Sequence, residues 1–412
     1  MMISATTRVA GNLFVASLGL VTVLGPSAID MYLPSMPQMA SDLNTSYASM
    51  QLSLTVYLLA QGAGQLVFGP LIDAWGRKWP LRGAIAVFTL ASFWAAAAQS
   101  FDALLYARFI QGLAASLTLV VAMSSVRDRA SGVRAAQIFS LLMAIQGLAP
   151  ILAPALGGII AALFGWRAVL AALGILGLLV LVNSAINLAE TLPREKRVTL
   201  QVSRVARTYG SIVADGLFLM PALTIGAVFF FLFSYVGGAV YVYQTVYALS
   251  PDTFGFVFGG TGIAMLFGAI GSGRLVKHFR VETLAIWGAG LILLGALVAL
   301  ASEHTGLGLM GIVTGMTISV LGLGIAEATV ISMAMASRET NVGSSVAVLG
   351  AFQLISASIA TPIAGAMAEV SANSWLVFLV MAGFATVWLT VLSTRLIARS
   401  SKRGVDATLN EK

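Results

Sequence analysis

Three ionisable side chains stand where the surrounding sequence leaves little room for charge. Asp30 lies near the end of the first long apolar stretch, in Leu24-Gly25-Pro26-Ser27-Ala28-Ile29-Asp30-Met31-Tyr32-Leu33-Pro34. Arg108 lies inside another stretch, and Glu327 inside a third, in Gly324-Ile325-Ala326-Glu327-Ala328. A charge at membrane depth is costly, so an ionisable residue kept there marks a functional site. Asp30 is expected to carry a proton and to pair with Arg108, because a buried guanidinium without a counter-ion is costly. The alternative is an interfacial Asp that caps a helix end. Glu327 is read as a second protonation site or as a receptor for a cationic substrate. Its alternative is a permanently protonated Glu bonded to a neighbouring helix.

Neutral polar side chains recur near these charges. Tyr57, Gln61 and Gln65 stand at i, i+4 and i+8, hence on one helical face. Gln111 follows Arg108 by three residues and shares its face. Such groups line a substrate path or bond helix to helix. The run Phe229-Phe230-Phe231-Leu232-Phe233-Ser234-Tyr235 offers aromatic faces for hydrophobic or cationic compounds, with Phe231 and Tyr235 the candidates.

Other chemistries are excluded by what the chain lacks. It has no cysteine, so disulfides and thiolate metal sites are ruled out. Its two histidines, His278 and His304, fall between apolar stretches, leaving carboxylates as the intramembrane proton carriers. There is no G-x-x-x-x-G-K-[ST] loop for ATP, and Gly306-Leu307-Gly308-Leu309-Met310-Gly311 opens an apolar helix rather than following a strand. No enzyme is indicated, and no metal or organic cofactor is expected; the energy source would be a proton gradient.

These residues must be carried by membrane helices. Of 412 residues, 58% are hydrophobic and only 9% charged, too few charges for a soluble surface of this size. Apolar runs long enough to cross ~30 Å of hydrocarbon recur throughout. They are read as twelve helices at 10–34, 47–72, 80–99, 102–126, 135–163, 167–190, 217–247, 253–274, 283–302, 307–335, 343–368 and 375–398. Asp30 and Arg108 then lie at matching depths, Arg108 about 9 Å below the outer start of its helix. Arg8 followed by an apolar run without a cleavage site is read as a retained first helix, not a signal peptide.

Charge sets the orientation. Twelve spans place all but two of the 23 Lys and Arg residues on one side, from Arg8 and the Arg77-Lys78-Arg82 group to Arg403 and Lys412. The exceptions are Arg108, inside a helix, and Arg167, at an outer helix start. The crowded side is cytoplasmic, with both termini on it. The net charge of +7 is spread over short loops, so no nucleic-acid partner is implied. The chain divides into a six-helix bundle at 1–190, a linker at 191–216, a second bundle at 217–398 and a tail at 399–412. Two such bundles around a central cavity imply alternating access. A faint repeat agrees: Gly69-Pro70-Leu71-Ile72-Asp73-Ala74-Trp75-Gly76-Arg77-Lys78 after the second helix matches Gly271-Ser272-Gly273-Arg274-Leu275-Val276-Lys277 after the eighth.

Four motifs in order carry a family resemblance. Gly69 to Lys78 resembles the loop 2–3 signature of the major facilitator superfamily. Asp30-Met31-Tyr32-Leu33-Pro34 followed by Met36-Pro37 resembles the helix 1 signature of its drug:proton antiporters of the Bcr/CflA multidrug and chloramphenicol type. Arg108-Phe109-Ile110-Gln111-Gly112, with Val126-Arg127-Asp128 closing the helix, resembles the helix 4 signature. The segment from Gly147 through Pro150 and Pro154 to Gly157-Gly158 resembles the helix 5 antiporter signature, with Ala153-Pro154 where Gly-Pro is common in other branches.

The resemblance implies an all-α fold of twelve transmembrane helices in two pseudo-symmetric bundles, in a bacterial inner membrane, as a monomer. It implies proton-coupled efflux of small amphipathic drugs, chloramphenicol-like or cationic. The alternative is export of a sugar, amino acid or other metabolite. It ties Arg108 to proton coupling and Asp30 to substrate or proton binding, with Tyr32 a candidate substrate contact. Asp73, Arg77, Lys78, Arg127 and Asp128 become a charged gate at the cytoplasmic mouth, with Gly69 and Gly76 turning the chain. The helix 5 motif would limit leak, or serve close packing alone. Glu327 departs from the family, where a neutral polar residue is expected.

Overall fold

The apolar runs become helices, because inside a bilayer only a helix satisfies every backbone group within its own segment. A computed structural model describes residues 2–197, 200–338 and 341–410. Among them there is no β-strand. The side chains of Arg8, Lys196, Lys402 and Arg403, and all of Lys412, lie outside the described residues.

The first half comprises α1 (Met2–Asp30), a 3-10 turn (Leu33–Ser35), α2 (Met36–Asp42), α3 (Tyr47–Met50) and α4 (Leu52–Trp75). These are followed by α5 (Lys78–Ala96), α6 (Phe101–Arg129), α7 (Gly132–Phe164) and α8 (Trp166–Asn187). After a short α9 (Val202–Val213) come α10 (Gly216–Tyr241), α11 (Pro251–Leu275), α12 (Val281–His304), α13 (Gly308–Ala336), α14 (Val342–Val370) and α15 (Ala372–Asn410).

Among the described residues, eleven helices are long and apolar enough to cross a membrane. The expected twelfth is α5, a helix of 19 residues whose opening turns carry Lys78 and Arg82 and dilute its hydropathy. Several features depart from the expected spans: α1 ends at Asp30 rather than 34, and α15 runs through residues read as a tail to Asn410. The linker read as loop holds α9, whose Val202, Val205, Tyr209 and Ile212 share one face. And α10 ends in a π-helical turn at Val242–Val246 instead of continuing as an α-helix.

The chain forms two compact units, residues 1–202 with 240–260 and residues 203–239 with 261–412. In the first, α6 packs against α1, α4 and α5, while α7 and α8 pack on α1. In the second, α12 and α13 pack most closely. A side chain on Gly288, Gly295, Gly315 or Gly322 would strike the facing backbone.

Candidate functional site

The first unit holds a polar cluster built on the abrupt end of α1. Pro34 and Pro37 each stand in the first turn of a new element, so α1 stops at Asp30 and the chain restarts twice. The last carbonyls of a helix have no intrahelical donor. One of them, on Ala28, accepts a hydrogen bond from Arg108 Nη2 at 2.8 Å. A cation at a helix C-terminus also meets the favourable end of the helix dipole.

Arg108 is fully buried in α6. Its Nη1 donates to Gln111 Oε1 at 2.5 Å, one turn along the same helix. Gln111 Nε2 donates to Ser92 Oγ of α5 at 2.7 Å. The guanidinium lies between two rings, its central carbon 4.3 Å from the Tyr32 centroid and 4.4 Å from that of Tyr57. A desolvated cation over an aromatic face gains about 2 kcal/mol. Both rings are held in turn. The Tyr32 hydroxyl meets Ser53 Oγ at 3.2 Å, and Tyr57 donates to the Gly25 carbonyl at 3.0 Å. Gly112 lets α4 and α6 close on this cluster, since a Cβ there would run into the Tyr57 carbonyl oxygen.

Asp30 is buried beside this cluster, 8% exposed, and makes no hydrogen bond or ion pair among the described residues. The expected Asp30–Arg108 ion pair is not formed among the described residues: Nη1 and Nη2 of Arg108 are directed to Gln111 and the Ala28 carbonyl, its Nε is buried without a partner, and tyrosine rings stand over the guanidinium. Gln61 projects toward Gly25, and its Oε1 is buried without a partner. Gln65 is half-buried, and its side chain makes no hydrogen bond among the described residues. Tyr32, Tyr57, Arg108 and Gln111 thus meet at one place, with Gln61 one turn away.

A second network lies at the α4–α5 turn. Gly76 has φ +94°, and a Cβ on it would approach the Arg197 guanidinium and the Glu190 carboxylate within 2.9 Å. Glycine is therefore required there on two counts. Arg77 bonds Asp73 at 2.8 Å and Asp128 at 3.0 Å. Asp128 also accepts from the Thr191 hydroxyl at 2.8 Å. Glu190 caps the start of α5, accepting from the backbone N–H of Arg77 at 2.9 Å and of Lys78 at 3.3 Å. Burial raises the Glu190 pKa, but the N–H groups of Arg77, Leu192 and Lys78 and the Arg197 charge outweigh it and hold it below its ordinary value.

Three assignments at this network need correction. Gly69 lies inside α4 with open space around it and turns nothing. Lys78 sends its ammonium over the Trp79 ring. Arg127 bonds Ser124 on its own helix. Glu190, Thr191 and Arg197 were missed, because Glu190 acts mainly on main-chain N–H groups and leaves no side-chain pattern. The available signal was a lone acid just before a basic run.

In the helix 5 segment, α7 runs through Pro150 and Pro154 unbroken. Gly157 abuts the Met31 carbonyl and Gly158 the Pro251 carbonyl. Gly255 and Gly259 of α11 abut the carbonyls of Pro154 and Ile151. Close approach is thus real at Gly157 and Gly158, whereas Gly147 has no neighbour within 4 Å.

The second unit holds the remaining candidates. Phe231 is buried in α10. Tyr235 stacks on Trp375 at 6.5 Å between centroids, and its hydroxyl meets Thr261 Oγ1 at 3.2 Å. Glu327 is half-buried and makes no hydrogen bond or ion pair among the described residues. On α13, Gly324 packs against α11, while Gly322 and Ala326 pack against α12. Glu327 belongs to a third stripe, with the buried residues Val320, Leu323 and Val330.

The family model described as Major Facilitator Superfamily matches residues 18–361. The chain is 36% identical over 353 residues to YdgK of Bacillus subtilis (strain 168), described as an uncharacterized MFS-type transporter, covering 84% of this chain and 87% of that one. It is 31% identical over 308 residues to a chloramphenicol resistance protein of Pseudomonas aeruginosa, covering 74% and 72%. Among solved structures, a D-xylose-proton symporter matches with a TM-score of 0.71 at 17% identity, covering 94% of this chain and 97% of that one.

Proposed function

This chain belongs to the Major Facilitator Superfamily, and we propose that it is a proton-coupled exporter of small amphipathic drugs, chloramphenicol-like or cationic, in a bacterial inner membrane. The observation that carries the proposal is the Arg108 cluster beside an unpartnered Asp30. Arg108 is held by neutral groups, the Ala28 carbonyl, Gln111, Tyr32 and Tyr57. None of these partners carries a charge of its own. Asp30 is left free to take a proton, or to give it up when a substrate or Arg108 engages the carboxylate. That exchange is what antiport requires.

Proton entry supplies about 2.3 kcal/mol per charge per 100 mV, besides any pH gradient. This is enough to drive a neutral drug outward. The likeness to a chloramphenicol resistance protein supports a drug as cargo. Glu327 supplies a second acid, in the other unit, for a proton or a cationic substrate. The charged network around Arg77 acts as the cytoplasmic gate, and both termini are cytoplasmic.

The test is drug susceptibility of a hypersensitive bacterium expressing the wild type, Asp30→Asn or Arg108→Ala at matched membrane levels. The wild type should raise resistance to a phenicol or a lipophilic cation, and both variants should lose it. Full resistance from Arg108→Ala would sink the proposal.

A further inference from the structure

Three basic side chains of the first unit surround a space that the proposed transport cycle does not use. It lies between α1, the start of α5 and the end of α8, and its volume is about 10 Å³. That is close to the least that admits one water-sized body. Arg77, Lys78 and Arg82 line it, and Phe14, Leu81 and Leu188 supply apolar walls. No carboxylate is among the lining residues.

Two guanidinium groups bring unused donors to this place. Arg77 is 5% exposed. Its Nε and Nη2 go to Asp128 and Asp73, while its Nη1 is buried without a partner among the described residues. Arg82 gives Nη2 to the Ala185 carbonyl of α8 at 2.7 Å, and its Nε is likewise buried without a partner among them. A buried donor left unpaired is costly, and in a folded protein it signals a water or an ion.

Charge separates the two. At this turn Arg77, Lys78, Arg82 and Arg197 stand against three carboxylates, Asp73, Asp128 and Glu190. Asp73 and Asp128 are engaged by Arg77, and Glu190 by main-chain N–H groups and Arg197. A further cation, Arg129, stands 4.5 Å from the centre of the Phe14 ring. Apolar walls keep the local dielectric low, so repulsion between the lining cations is poorly screened. A water would satisfy the donors and leave that repulsion in place, whereas an anion relieves it. The size of the space excludes a phosphate, a carboxylic acid or a lipid headgroup.

We infer that this space binds a single chloride ion, held by Arg77 Nη1 and Arg82 Nε, with Lys78 adding charge. Such an ion ties the turn after α4 to the end of α8, because Arg82 already reaches Ala185.

The full chain would be purified in detergent and titrated with sodium chloride against sodium gluconate at constant ionic strength. Broadening of the chloride NMR line reports binding, and the melting temperature reports its consequence. With the wild type both should change saturably, the melting temperature rising by several degrees. Arg82→Gln removes one charged donor and should weaken chloride binding roughly tenfold, with wild-type helicity. Lys78→Gln leaves both guanidinium groups in place and should weaken it several-fold; it decides the matter if Arg82→Gln does not fold.

Absence of saturable broadening with the wild type would mean a buried water and overturn the site. So would wild-type affinity in folded Arg82→Gln or, failing that variant, in Lys78→Gln. A melting temperature that climbs linearly with chloride and without broadening would be a bulk salt effect and would overturn it too.

Discussion

The guanidinium of Arg108 donates to the carbonyl of Ala28 at 2.8 Å and leaves the carboxylate of Asp30, two residues on, without a partner. The arginine thus stabilises a helix end while keeping its charge beside an acid. Structure and proposed coupling share one residue, and substitutions should separate them.

Arg108→Ala orphans the Ala28 carbonyl and the Gln111 amide. Hydrogen bonds to charged groups contribute about 1.5–3 kcal/mol each, so the melting temperature in detergent should fall clearly. Arg108→Lys keeps the charge but cannot reach both acceptors while lying flat between two rings. It should recover part of the stability and none of the transport. Transport by the Lys variant at the wild-type rate would show that charge alone suffices.

Glycine substitutions should sort by what faces them. Gly112→Ala and Gly157→Ala push a methyl into the carbonyls of Tyr57 and Met31, and overpacking of this kind costs about 1–3 kcal/mol. Gly69→Ala and Gly147→Ala meet open space inside helices and should be neutral or stabilising by up to about 1 kcal/mol. Thermal unfolding of the four variants checks the order.

Glu190→Gln should weaken the start of α5 by about 0.5–2 kcal/mol, the range for a lost helix cap. The folded state holds Glu190 below its ordinary pKa. Its contribution is therefore complete above the ordinary value and is lost as pH falls through the folded value. Wild type and Glu190→Gln should differ in melting temperature at neutral pH and converge in acid. A difference that grows on acidification would contradict the capping role.

Glu327 should matter most for charged cargo. If it receives a cation, Glu327→Gln lowers export of a lipophilic cation several-fold and spares a neutral phenicol. Equal loss of both would assign Glu327 to the proton path instead.

Much of the fold was legible because a membrane restricts the choices. Apolar run length fixed most helix spans to within a few residues, but not the start of α1, which begins at Met2 rather than 10, nor the end of α15, which runs to Asn410 rather than 398. Helical periodicity paired Arg108 with Gln111 and, separately, set Tyr57 on one face with Gln61 and Gln65; the structure brings Tyr57 to the Arg108–Gln111 pair. What stayed hidden depends on main-chain partners. Nothing in the string says that Arg108 prefers a carbonyl of Ala28, or that Glu190 caps α5. The helix α9 was overlooked because Val202, Val205, Tyr209 and Ile212 are scattered among Arg204, Arg207 and serines and form no apolar run. Lys78 looked like part of the gate because it follows Arg77, but one residue along a helix turns a side chain by about 100°.

The most direct test of proton coupling uses proteoliposomes containing wild type or Asp30→Asn, with a pH dye inside. Chloramphenicol-like, cationic and sugar compounds would be added in turn and substrate-triggered proton movement recorded. The account predicts a signal from at least one drug with the wild type and none with Asp30→Asn. A drug signal of undiminished size in Asp30→Asn would contradict it and move the proton site elsewhere, with Glu327 the first candidate.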